Sequence, residues 1–79
     1  MTSPRIRRAA QELARISGVH PDHRHRDYES LLARGRYTEA EMRAVVAELK
    51  RTGEDHALWP LKEHLRLTTA DYPYGFLAR

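Results

Sequence analysis

Five histidines, His20, His23, His25, His56 and His64, are the side chains of this sequence with the widest chemical range. Three of them fall close together as His20-x-x-His23-x-His25, with Asp22, Asp27 and Glu29 nearby. Imidazole nitrogen and carboxylate oxygen are donors that zinc, nickel and copper accept, which makes His20, His23 and His25 candidate metal ligands. On a helix, His23 and Asp27 would lie one turn apart on one face, and so would His25 and Glu29. Two features weigh against a metal. The spacing matches no established ligand pattern, and Arg24 and Arg26 place cations among the ligands, where they repel a metal ion. The segment therefore reads first as a solvated, titratable loop, with no metal or cofactor expected. Histidine also titrates near neutral pH, so a pH-sensing role is open, but the neighbouring arginines oppose protonation.

Catalysis has less support. Ser30, with histidine and aspartate elsewhere, supplies the residue types of a nucleophile triad without a nucleophile elbow. No glycine-rich phosphate loop, HExxH or dinucleotide-binding fingerprint is present. A chain of 79 residues can hardly enclose a substrate-sized pocket and keep a core as well. The expectation is a protein that is not an enzyme. With no cysteine, it has neither disulfides nor thiolate ligands. No continuous apolar run suggests a signal peptide or membrane span, and the expected location is the cytoplasm.

The arginines are more informative. They outnumber lysines twelve to two, and the excess charge sits at the front. Residues 1–26 hold six arginines against Glu12 and Asp22, a net +4, while residues 27–79 hold eight basic and nine acidic side chains, a net −1. Planar guanidinium forks suit anion recognition, and a high-GC genome would produce the same bias. Arg5, Arg7 and Arg8 occupy the first turn of the first expected helix, where positive charge opposes the helix dipole by about 0.3–1 kcal/mol each. An anionic partner gives them a purpose, with Arg15 extending the same charge. At the other end, Tyr72, Tyr74, Phe76 and Leu77 crowd a stretch punctuated by Pro73 and Gly75. Side chains of that size are interface anchors when they are not core. Either they fold back on their own core or they dock on another chain.

The elements that carry these residues read as helices. Ser3-Pro4 is a hydroxyl cap followed by proline at the first helical position. Ile6, Ala10, Leu13 and Ile16 then recur at helical spacing, and Gly18 ends the segment as a residue free to turn left-handed. Val19 to Asp27 lacks apolar periodicity and reads as a loop, although Asp22 could cap an early helical turn. Tyr28, Leu31 and Leu32 form a short apolar face that ends at Gly35. Thr38 and Glu41 make a reciprocal capping box, flanked by Tyr37 and Met42 at the staple positions. Met42, Val45, Val46 and Leu49 form the stripe of a helix from Glu39 to about Arg51, with Glu39 placed to pair with Arg43. A fourth helix is expected near Pro60, with Leu61, Leu65 and Trp59 pointing one way. Residues from 68 onward read as an extended aromatic tail. The expected fold is one all-α domain, a small compact bundle of three to four short helices.

Two helices joined at Gly35-Arg36 superficially match a helix-turn-helix. The second of them would meet the DNA backbone with Glu39 and Glu41 in its first turn, which phosphates repel. The stretch from Leu31 to Met42 resembles the helix–glycine–capped-helix hairpin of SHOCT-type oligomerisation modules. It is also similar in outline to the helical N-terminal region of nitrile hydratase beta subunits. That resemblance implies a hairpin and assigns no residue a role.

The first functional reading is thus a helical binding module for another protein or for a second copy of itself. Arg5, Arg7, Arg8 and Arg15 would supply charge, and Tyr72, Tyr74 and Phe76 buried area. A small DNA- or RNA-binding regulator is the alternative, with Arg24 and Arg26 joining on phosphates. An accessory subunit of a larger enzyme, or a histidine-rich metal binder, follows.

Overall fold

The computed structural model describes residues 3–68. The expected aromatic tail, with Tyr72, Tyr74 and Phe76, lies outside the described residues. Four helices follow one another: α1 (Pro4–Ser17), α2 (Pro21–Gly35), α3 (Glu39–Arg51) and α4 (Leu58–Thr68), the last entered through a 3₁₀ turn at Asp55–Ala57. No strand occurs among the described residues, so the all-α expectation holds. None of these helices is long and apolar enough to cross a membrane.

Helix α1 is the hub. Ser3 caps it, its Oγ accepting from the Ile6 amide at 3.5 Å, and Pro4 fills the first position, where no N–H is needed. Its apolar stripe, Ile6, Ala9, Ala10, Leu13 and Ile16, is buried against α3 above all, and also meets α2, α4 and the 3₁₀ turn. The two alanines keep that stripe thin, which lets neighbouring helices approach closely. Gly18 closes α1 at φ −90°, an ordinary right-handed conformation, so no left-handed turn is used there.

Helix α2 corrects the sequence reading most. Residues 21–27 are helix, not loop. Pro21 takes the first helical position, and His20 caps it, Nδ1 accepting from the Asp22 amide at 3.3 Å. The first two turns show no apolar periodicity because they bury nothing: Tyr28 and Leu31 are the buried residues of this helix. The helix ends at Gly35, but the left-handed residue is Arg36, at φ 48°, whose N–H donates to the Leu32 carbonyl at 3.1 Å. A left-handed non-glycine residue costs about 1–2 kcal/mol, offset here by a closed helix end.

Helix α3 runs over the residues its pattern indicates. The Glu41 amide donates to Thr38 Oγ1 at 3.1 Å, and the Thr38 amide donates to Glu41 Oε1 at 3.0 Å. Arg43 pairs with Glu39 at 2.9 Å. Met42, Val45 and Leu49 are fully buried, whereas Val46 is half-buried. Glu48 is also buried, and Arg51 one turn on donates to its carboxylate from Nε at 3.0 Å and from a second nitrogen. Leaving that carboxylate unpaired would be costly, so the pair belongs to the core's edge.

In α4, Pro60 sits in the first turn, where a missing N–H costs nothing. Leu61 and Leu65 join the core, but Trp59 is 67% exposed and does not point with them. With the helix starting at Leu58, Trp59 lies two positions before Leu61, a spacing of about 200° around the axis.

Candidate functional site

Two surface features collect the chemically capable side chains. The first is a groove of about 490 Å³ between α1 and α2. Ala9, Leu31 and Tyr37 contribute apolar surface, and Arg5, Arg8 and Arg34 contribute guanidinium groups. The one carboxylate in its lining, Glu12, is held by Arg15 at 2.9 Å. Arg8 is exposed and no carboxylate among the described residues pairs with it. Arg34, in the last turn of α2, turns its Nε onto the Ser30 carbonyl at 3.3 Å, and no ion pair with a carboxylate holds it among the described residues.

Arg5 has a different position. Its Nε donates to Glu41 Oε2 at 2.7 Å, a second nitrogen donates to the Gly35 carbonyl, and its guanidinium lies 4.5 Å from the centre of the Tyr37 ring. It thereby joins the start of α1 to the end of α2 and the cap of α3. The Arg5 guanidinium, with the Thr38 amide next, holds the Glu41 carboxyl below its usual range. The repulsion expected between Arg5 and the α1 dipole is thus offset by Glu41 and by the carbonyl-rich end of α2. Arg7 lines a separate pocket with Glu48 and Arg51, on another side of α1. Of the four arginines singled out from sequence, Arg8 is on the groove with a free charge, Arg5 is structural, Arg15 is paired, and Arg7 faces elsewhere. Arg34 was missed; its exposed position one turn after Ser30 carried no sequence signal that set it apart.

The second feature is a histidine pair between α2 and α4. His25 Nδ1 and His64 Nδ1 are 2.9 Å apart, with ring centroids at 4.4 Å. His64 is buried and His25 exposed. Tyr28 packs its ring 5.3 Å from that of His64, and its buried hydroxyl has no hydrogen-bond partner among the described residues. Burial pushes the Tyr28 phenol up to about 12. Burial, and then the proximity of His25, push the His64 imidazole below its ordinary value, while Glu29 pulls the other way. His64 is therefore a neutral ring at neutral pH. These side chains, with Arg24, Glu63, Trp59 and the two prolines Pro21 and Pro60, line one groove.

The three histidines read as metal candidates are dispersed. His20 is spent on capping α2, His23 meets His20 edge-on at 6.3 Å, and His25 turns to α4. Among the described residues, no group of three or more His, Cys, Asp or Glu side chains is arranged to hold a metal ion.

Comparison of the chain with protein-family models, with characterised proteins and with solved structures gives no match. The functional reading therefore rests on these two grooves.

Proposed function

We propose that this chain is a small helical binding module that takes an acidic segment of a partner protein into the α1–α2 groove. One observation carries the reading: Arg8 and Arg34 share a groove beside the Tyr37 ring, and the one carboxylate in its lining, Glu12, is already taken by Arg15. Guanidinium groups beside Ala9, Leu31 and Tyr37 suit a segment that offers carboxylates and apolar side chains together. Nucleic acid would meet the same arginines, and the salt dependence of binding separates the two partners. In the same reading the aromatic residues Tyr72, Tyr74 and Phe76 add apolar anchors from the end of the chain.

Fluorescence anisotropy with two labelled probes tests this: a Glu/Leu-rich peptide and a DNA duplex, each across a salt series. The peptide should bind more tightly at moderate salt, and charge reversal in the R8E/R34E double variant should weaken it by about tenfold or more. Tighter duplex binding with a steep salt slope would favour the nucleic-acid regulator instead. Sedimentation at several concentrations shows whether a second copy of the chain is the partner.

A further inference from the structure

The His25–His64 pair lies outside the arginine groove and is not used by the function proposed for it. It joins residues 39 positions apart in sequence, and three observations about it point the same way.

The first is distance. At a metal–nitrogen bond of about 2.0–2.1 Å, two nitrogens separated as these are subtend about 90° at a shared ion, whereas tetrahedral ligands would sit about 3.3 Å apart. Their 2.9 Å separation matches adjacent positions of a square or octahedral ion. The second is the surroundings of His25. Glu29 Oε2 lies 3.9 Å from His25 Nε2, one turn along α2, on the far side of the ring from His64. At that distance the carboxylate does not hydrogen-bond the ring, but it adds negative charge beside the pair, which favours a bound cation. The third is access. Trp59, Pro21 and Pro60 frame a groove of about 490 Å³ over the pair, so solvent molecules can complete the coordination. Arg24 in the same lining opposes a cation, and Glu29 and Glu63 counter it.

We infer that His25 and His64 form a two-imidazole site, bridging α2 and α4, for a divalent transition metal ion of tetragonal preference, Cu²⁺ or Ni²⁺ ahead of Zn²⁺. The pair now shares one hydrogen between its two Nδ1 atoms. Metal binding requires the donor ring to carry that hydrogen on Nε2 instead, so that both Nδ1 atoms offer lone pairs. The site differs from the His20-x-x-His23-x-His25 cluster: it keeps His25 and replaces the other two with a ring from α4.

Trp59 is the only tryptophan and lines this groove, so its fluorescence reports on the site directly. Cu²⁺ and Ni²⁺ quench indole emission at short range. Titration of the untagged full chain with NiCl₂ or CuCl₂ should give saturable quenching at one equivalent. His25→Ala, at an exposed position, should raise the midpoint by about tenfold or more. The double variant H20A/H23A should leave it unchanged. His64→Gln repeats the test from the other helix, with circular dichroism to confirm that the variant is folded. Absence of saturable quenching, its persistence in folded His25→Ala, or its loss in H20A/H23A would each overturn the site.

Discussion

Arg5 Nε donates to Glu41 Oε2 at 2.7 Å across a sequence separation of 36 residues. The contact joins a residue in the first turn of α1 to the acidic half of the α3 capping box. It explains how a helix start with basic and no acidic side chains is accommodated. It also predicts a pH signature. The Glu41 carboxyl is held below its usual value, so the stability it contributes is present above the unfolded carboxyl's range and is lost as pH falls through the folded value. Arg5→Ala should lower Tm at neutral pH. The gap to the parent chain should narrow as pH falls below the usual carboxyl range and Glu41 protonates, while the part due to the Gly35 carbonyl and the Tyr37 ring remains. Thermal melts across that range check it.

Gly35 is needed for space, not for an unusual backbone angle. A Cβ built there would run into the Tyr37 ring, which is itself pinned under the Arg5 guanidinium. Gly35→Ala should therefore destabilise by about 1–3 kcal/mol, as an overpacked contact does. Tyr37→Ala should suppress that cost, so that the double variant is no less stable than Tyr37→Ala alone. Urea denaturation of the four proteins in the cycle measures the coupling.

His64 gives stability a dependence on mild acid. Its folded pKa is depressed by burial and by His25, so the unfolded chain binds the proton more readily. Stability should be greatest above about pH 6.5 and fall as pH drops toward the folded value. Around the ring, His25, Arg24 and Tyr28 come from α2 with Glu29, and Glu63 from α4. His64→Gln should flatten this part of the pH profile, whereas His56→Gln should not.

Tyr28 is buried, and its hydroxyl has no partner among the described residues. Orphaned polar groups in a core cost about 1–3 kcal/mol. Tyr28→Phe, which keeps the ring against His64, should be neutral or stabilising in a denaturation experiment. A clear loss of stability would show that the hydroxyl has a partner in solution.

Legibility in the sequence followed locality. The bounds of α3 could be read because its cap, staple positions and stripe all lie within Tyr37 to Leu49. The start of α2 could not, because its cap is a histidine and its first two turns are solvent-facing, so neither the usual cap residues nor apolar periodicity marks it. Trp59 was misplaced because the helix begins before Pro60, which rotates the indole away from Leu61. The site residues divide the same way. Charge counting found the arginine-rich front of the chain, but only the fold shows that Arg5 has a carboxylate partner 36 residues away and that Arg34 joins Arg8. The approach of His64 to His25 is long-range and leaves no local pattern.

The most direct test of the arginine groove is an amide-resolved NMR titration of the chain with the Glu/Leu-rich peptide, with the DNA duplex in parallel. The groove reading predicts that peptide shifts concentrate at Arg8, Ala9, Leu31 and Arg34, spare the exposed face of α3 around Ala44 and Ala47, and vanish in R8E/R34E. Shifts confined to other surfaces, no shifts at all, or a duplex that alone perturbs the arginines would contradict it.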